Sequence, residues 1–340
     1  MMPAVQASRS MPCLNFSERQ SGSPAATFSV VIALYNKAGY IANTLASVVA
    51  QTHRAAEIIV IDDGSTDGGA NLVEALQLPG LRLIRQANGG VSKARNAGIA
   101  AAGADWVAFL DADDILHADY LATLAKLAAD FQQAQIVATS YRSVPAQEAL
   151  SPSAWERPAL SADTRELIED LPGRWVRGTC FFTSSVAVRR DLLERMQPCF
   201  PVGESVGEDV DLWFRLGERS PIALCARPLV LRVWVPDSLS AGHNPHAELP
   251  YMLRMEHRAL SGQTPAALRG ATLRYVDDTR VNLARACIVQ GSRKRAWDLL
   301  SRSWRHASPH RWLLGCLMLL LPSRAVHSWQ SWRVKRKMIL

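Results

Sequence analysis

At 340 residues, 48% hydrophobic and 20% charged, the chain can bury a full core as one large domain or two, which excludes a fibrous or wholly disordered protein. Its six cysteines, Cys13, Cys180, Cys199, Cys225, Cys287 and Cys316, show no Cys-x-x-Cys spacing, which excludes a disulfide framework and a zinc finger and fits a reducing compartment. The net charge of +7 is uneven: Arg302, Arg305, Arg311, Arg324, Arg333, Lys335, Arg336 and Lys337 share a stretch without one acid, so an anionic partner is expected there.

Residues 1–27, rich in Ser, Pro, Ala and Gln, read as a disordered leader with no signal peptide. Phe28 to Leu34 is an apolar, β-rich run closed by Tyr35-Asn36-Lys37. From Tyr40, the residues Ile41, Leu45, Val48 and Val49 recur at helical spacing, and Glu57 to Ile61 is a second buried strand closed by Asp62-Asp63-Gly64-Ser65-Thr66-Asp67. Strand, helix and strand in so short a span predict a βαβ unit. A helix through Leu72 and Leu76 and a strand over Leu81 to Ile84 follow. Asn88-Gly89-Gly90 then leads into an Ala-rich helix with Lys93 and Arg95 in its first turns, which is either a phosphate cradle or an ordinary loop and amphipathic helix.

The strand Trp106 to Leu110 ends in Asp111-Ala112-Asp113-Asp114. In an extended segment Asp111 and Asp113 point the same way. Acids this close repel unless a cation lies among them, and hard oxygen ligands suit Mg²⁺ or Mn²⁺; a turn or helix cap is the plain alternative. A helix from Asp119 to about Phe131 and a strand over Ile136 to Thr139 complete an alternation that predicts a doubly wound, mostly parallel α/β sheet over residues 28–140. Such sheets bind ligands outside the carboxyl ends of their strands.

Leu229 to Val235 reads as a closing strand, and Tyr251 to Leu260, Pro265 to Val289 and Arg295 to Trp304 have helical periodicity. Trp312 to Leu321 is an apolar run about half the length a membrane span needs. With Arg305, His306, His310 and Arg311 before it and Trp329, Trp332 and the basic cluster after it, the run suits an anionic leaflet's headgroup region or a buried helix.

Five stretches together, Val30 to Lys37, Ser47 to Thr52, Ile59 to Asp67, Asn88 to Ile99 and Phe109 to Asp114, resemble the inverting, nucleotide-sugar-dependent glycosyltransferases of family 2, which have the GT-A fold. The resemblance covers residues 28–140 closely and extends more weakly to about 240. It implies a catalytic domain over 28–245, with a nucleotide-sugar half (28–140) and an acceptor half (141–245), and a helical extension with a membrane-associating tail over 246–340. It implies that Ala33, Leu34 and Tyr35 pack on the donor base, that Asp63 hydrogen-bonds that base, and that Lys93 or Arg95 steadies the diphosphate. Asp111, Ala112 and Asp113 would hold the ribose and a divalent cation, Mn²⁺ or Mg²⁺, with Asp113 the better ligand and His243 a further candidate.

The helix opening Gly207-Glu208-Asp209-Val210-Asp211 resembles the family's Glu-Asp motif, which makes Asp209 the expected general base and Glu208 and Asp211 its neighbours on the acceptor side. A cluster of acids there also compensates a helix dipole. Trp175 is either a stacking platform for an acceptor sugar or a core residue. The Gln-x-x-Arg-Trp motif and membrane spans of the processive synthases are not found, so transfer of a single sugar, with a UDP-linked donor as the default, is expected. The acceptor would be a glycan or a lipid-linked acceptor, the enzyme being cytoplasmic and peripheral on the inner face of the cell membrane, with no nucleic-acid partner. A sugar nucleotidyltransferase of similar topology and a non-catalytic scaffold are the competing readings; the first normally opens with a glycine-rich basic loop where this chain has Leu34-Tyr35-Asn36-Lys37, and the second leaves the acids at 63, 111, 113 and 209 without a role.

Overall fold

The computed structural model describes residues 26–155, 164–204, 206–235 and 247–321. Its first part follows the expected alternation: β1 (Phe28–Leu34), α1 (Ala38–Val49), β2 (Glu57–Asp62), α2 (Gly69–Ala75), β3 (Leu81–Arg85), α3 (Val91–Ala101) and β4 (Trp106–Asp111). The four strands lie parallel in the order β3-β2-β1-β4. After β3 the chain returns to the far side of β1. The carboxyl ends of β1 and β4 therefore form a topological switch point, where open parallel sheets leave a crevice.

These strands are continuous apolar runs because both faces of the sheet are covered. On one face Val31, Ile59 and Phe109 pack with Phe200, Trp213 and Phe214. On the other, Ile32, Val60 and Leu110 pack with Leu45 of α1 and with Leu121 and Leu124 of the helix that follows β4. The approach of α3 to β1 is so close that a Cβ on Gly98 would stand 2.2 Å from Val31 Cγ1, a distance only glycine avoids.

Beyond β4 come β5 (Ile115–Leu116), α4 (Tyr120–Asp130), β6 (Ile136–Pro145), β7 (Arg165–Ile168), α5 (Leu171–Val176), β8 (Val186–Arg189), α6 (Arg190–Glu194), α7 (Glu208–Gly217) and β9 (Ile222–Trp234). Here the sheet is mixed. Strand β8 inserts antiparallel between β4 and β6, and β9 runs parallel to β6 with β5 and β7 antiparallel to it. Two strands outrun their apolar signals: the one expected over Ile136–Thr139 continues to Pro145, and the one expected over Leu229–Val235 begins at Ile222. The interrupting Ala226-Arg227-Pro228 lies at a bulge, where the β6–β9 register slips around Ser140 and proline's missing donor is tolerated.

The C-terminal part is helical, as expected: α8 (Pro250–Leu260), α9 (Ala266–Val289), α10 (Arg293–Ser303) and α11 (Pro309–Leu320). Val281, Ala284, Leu299, Leu300 and Met318 give α9, α10 and α11 a small core of their own. By contrast Tyr251, Met252 and Met255 of α8 and Val276 of α9 are buried in the same cluster as Trp213 and Phe214, so the helical part shares the core of the sheet domain. Arg280, 1% exposed, donates to Glu248, Glu256 and Asp277, so its charge is buried but matched. Among the described residues no helix is long and apolar enough to cross a membrane.

Candidate active site

Asp111 closes β4 opposite Ala33 in register. Arg95 of α3, itself buried, donates Nη2 to Asp111 Oδ1 and Nη1 to Glu208 Oε1 of α7, both at 2.7 Å. Burial alone would lower this guanidinium, but Asp111, Glu208 and Asp209 hold its pKa above the ordinary arginine value. Asp113 accepts from Lys37 Nζ at 2.6 Å, across the gap between the ends of β1 and β4. Burial and the charge of Asp111 raise the Asp113 carboxyl, and Lys37 offsets part of the rise.

Asp114 turns inward and accepts from Ser184 Oγ and from Val233 N; burial and its two acidic neighbours push its carboxyl well above the usual range. Ser184 Oγ also accepts from Asp111 N at 3.0 Å, which ties the acidic turn to the short 3₁₀ turn Thr183–Ser185. Thr183 Oγ1 donates to Asp209 Oδ2 at 2.9 Å. Asp111 is thus tied to Asp209 by two routes, one through Arg95 and Glu208 and the other through Ser184 and Thr183, each completed by the peptide link between sequence neighbours.

Helix α7 opens after Gly207, whose φ of +79° is a left-handed value that favours glycine. Its acids then fan out, since successive helical residues turn by about 100°. Glu208 points inward to Arg95, its carboxyl raised by burial against the pull of that arginine. Asp211 is buried and takes Arg215 at 2.8 Å and Arg254 and Arg258 at 3.3 Å, joining α7 to α8. Asp209 lies between them, half-buried and held by Thr183.

The glycine-rich loop is shaped by Asp63, which is buried and accepts from Gly89 N at 2.9 Å, Gly90 N at 2.8 Å and Gln86 Nε2 at 2.6 Å. Three bonds leave a carboxylate about one acceptor site. The Asp63 side chain therefore builds the loop first, and the base contact expected of it is confined to that remainder. Lys93 is exposed beside the loop, its stem folded over Gly89. Ala33 is half-buried and Tyr35 is 42% exposed at the crevice.

Several expected contacts are corrected by these positions. Leu34 alternates to the α1 face and is fully buried, so its side chain cannot pack on a base. Ala112 is buried too, its carbonyl accepting from Thr44 Oγ1 at 2.9 Å. Arg95 is taken up by two carboxylates and is not available to a diphosphate. Trp175 is 5% exposed and packs on Phe181 and Phe214, with ring centroids 5.3 and 5.2 Å away, which makes it core and not a sugar platform. Glu208 and Asp211 are counter-ions of arginines, which leaves Asp209 as the acid of that turn suited to meet an acceptor. His243 lies outside the described residues. Sequence reasoning passed over Lys37, Thr183 and Ser184. Lys37 closes the first motif, but Thr183-Ser184 carried no signal, since nothing in a hydroxyl pair says which acids the fold will set against it.

Among the described residues no three His, Cys, Asp or Glu side chains gather as a metal cage. Mg²⁺ and its analogues are commonly held by one or two carboxylates completed by substrate phosphates. Asp111 and Asp113 fit that pattern, and both are already balanced by cationic side chains. A hollow of about 320 Å³ lined by Asp62, Ser65, Thr66, Asn71 and Arg85 opens on the α2 side of the edge, not on the α3 side where Asp111 meets Arg95.

Residues 29–193 match the model of glycosyl transferase family 2. An uncharacterized glycosyltransferase of Nostoc, alr2836, is 36% identical over 181 residues, covering 51% of this chain and 54% of that protein. The succinoglycan biosynthesis protein ExoO of Rhizobium meliloti is 42% identical over 114 residues, covering 33% and 32%. These matches span about half or less of the relatives' lengths. The crystal structure of Staphylococcus aureus TarS 1–349 in complex with UDP-GlcNAc superposes with a TM-score of 0.64 over 90% of this chain and 92% of that one, at 16% identity, a likeness of fold.

Proposed function

From the match of residues 29–193 to glycosyl transferase family 2 on a GT-A-like sheet, we propose that the chain transfers a single sugar, with inversion, from a nucleoside-diphosphate sugar to a glycan or lipid-linked acceptor. Supporting this reading is the double tie between Asp111 and Asp209: a rigid network holds a diphosphate-facing acid and a half-buried acid at fixed separation, as a two-site transfer requires. The donor lies at the switch point, its nucleoside against Ala33 and Tyr35 and its phosphates toward Lys93. Asp113 and Asp111 would hold Mn²⁺ or Mg²⁺, which neutralises charge on the departing diphosphate.

Asp209 takes the proton of the acceptor hydroxyl as that oxygen bonds to the anomeric carbon. The bond from that carbon to the phosphate oxygen breaks on the opposite face, and the nucleoside diphosphate leaves with the electron pair. Thr183 keeps the carboxylate oriented. The similar protein ExoO is a succinoglycan biosynthesis protein, which supports a glycan acceptor, and the UDP-GlcNAc bound to TarS makes a UDP-linked hexose or N-acetylhexosamine the first donor to test. Nucleotide sugars screened by thermal shift and by hydrolysis, with Mn²⁺ or Mg²⁺ present, should single out one donor. No stabilisation and no hydrolysis by any of them would end the reading.

The helical part is proposed to rest on an anionic membrane surface at the cytoplasmic face. Helix α11 packs Gly315 and Met318 inward but leaves Leu313, Leu317 and Leu320 exposed on one stripe, and the turn before it carries an exposed Trp304 with Arg305 over its ring. Deleting residues 305–340 would also remove a packed helix, so substitution is the sounder test. Full-length protein should float with phosphatidylglycerol vesicles, and a Leu313→Ser, Leu317→Ser, Leu320→Ser variant should not. Equal flotation would reject the surface.

A further inference from the structure

The two acids of the proposed cation site are balanced by different kinds of cation. Arg95 is buried, 7% exposed at its side chain, and fixed by bonds to both Asp111 and Glu208. Lys37 meets Asp113 from the loop after β1, on a four-carbon stem at the solvent edge, with side chains 21% and 15% exposed. In that same position its ammonium lies 5.6 Å from the centre of the Tyr40 ring of α1, so an aromatic face also stands beside it. One counter-ion is therefore built in and the other can leave.

We propose that Lys37 is the exchangeable counter-ion of this site: it bonds Asp113 until a divalent cation does, then turns to the donor's phosphate oxygens. The inference rests on the proposed placing of the cation at Asp111 and Asp113. An ammonium at 2.6 Å and a divalent ion cannot share the same carboxylate oxygen, because both need its lone pairs and they repel each other. Binding of the cation alone is thus weakened by the fraction of molecules in which Lys37 must first be displaced. A pair formed in about nine molecules of ten lowers the apparent affinity by about tenfold. When a diphosphate arrives with the cation, the displaced ammonium gains a new anion, so the two ligands favour each other's binding. The device keeps the acids neutralised and the site selective for cation and donor together.

Mn²⁺ binding to the full-length protein, followed by electron paramagnetic resonance without nucleotide, reads this directly. Lys37→Met should tighten Mn²⁺ by about tenfold, and Lys37→Arg, which keeps the charge and grips a carboxylate at least as well, should not. At saturating Mn²⁺, Lys37→Met should weaken whichever of UDP, GDP, CDP and ADP the wild type binds best, by about tenfold. Unchanged or weaker Mn²⁺ binding in Lys37→Met, or unchanged nucleotide affinity, overturns the proposal. Asp113→Asn separates this from the premise. If that variant binds Mn²⁺ as the wild type does, the cation site is elsewhere and both readings fall. If it loses Mn²⁺ while Lys37→Met changes nothing, the exchange alone is wrong.

Discussion

Arg95→Met tests the network at its most constrained point. The wild-type guanidinium is buried, bonded at 2.7 Å to each of two acids, and stacked 5.3 Å from the Phe200 ring. Methionine preserves much of the apolar stem but leaves Asp111 and Glu208 facing each other with their shared cation gone. Breaking a buried ion pair by removing one partner costs about 3–5 kcal/mol, and here one side chain serves two acids, so the upper part of that range is expected at alkaline pH. The cost depends on pH with a definite sign. Burial already raises the Glu208 carboxyl above its ordinary 4.5 in spite of Arg95, and without Arg95 it rises further. A carboxyl raised in the folded state holds a proton that the unfolded chain gives up, so stability falls as pH climbs from the unfolded value through the folded one. Urea unfolding midpoints at pH 5 and pH 8 should show the variant losing clearly more at pH 8. Arg95→Lys, which keeps the charge but reaches only one acid, should lose about half as much. A loss below about 1 kcal/mol at pH 8, or equal losses at the two pH values, would refute the claim that this arginine is the electrostatic tie between α3, β4 and α7.

The three acids at the start of α7 should separate by phenotype. Asp209→Asn should lower turnover by about 10²–10⁴-fold while leaving nucleotide-sugar affinity and the unfolding midpoint nearly unchanged, checked by product formation, calorimetry and urea titration. Asp211→Asn should do the reverse in kind: with Arg215, Arg254 and Arg258 left short of their buried carboxylate, it should cost about 3 kcal/mol in urea unfolding. Gly98→Ala should destabilise by about 1–3 kcal/mol, because the added methyl meets Val31 at 2.2 Å and α3 must shift from β1. Ending the chain at residue 246 should give an aggregating fragment by size-exclusion chromatography, since it uncovers Trp213 and Phe214 where Tyr251, Met252 and Met255 pack.

The part of the fold legible in the sequence is the part whose order the chain itself dictates. Strands β1, β2 and β4 are apolar runs that stop at Asp or at Asn-Lys turns, and their helices carry a 3.6-residue period, so elements and order could be read together. What escaped were pairings between distant segments. Nothing local says that Val186–Arg189 will lie between Trp106–Asp111 and Ile136–Pro145, or that Pro228 marks a bulge instead of a strand's end. The site divides in the same way. Motif order brought Asp111, Asp113 and Asp209 to one edge, but it could not tell which way each neighbour points. Leu34 and Ala112 sit within such motifs and are core, and Trp175 is held by Phe181, Phe214 and Tyr275 from three separate segments of the chain.

The helical part then has a bearing on the chemistry that periodicity alone does not reveal. The start of α7, which carries Asp209, is gripped from both sides. On the sheet side Arg95 holds Glu208. On the other, Arg254 and Arg258 of α8 hold Asp211, and Tyr251 lies against the helix start so closely that a Cβ on Gly207 would be 2.4 Å from its ring. The Tyr251 hydroxyl bonds that of Tyr275, and burial, against that bond, pushes it up to about 12, so it stays a neutral phenol near Asp209. The carboxylate proposed to take the acceptor's proton is therefore positioned as much by α8 and α9 as by the sheet. A boundary between catalytic domain and extension near residue 246 can mark where helices begin. It cannot mark where the active site's support ends, because Tyr251, Arg254 and Arg258, which grip the start of α7, lie beyond it.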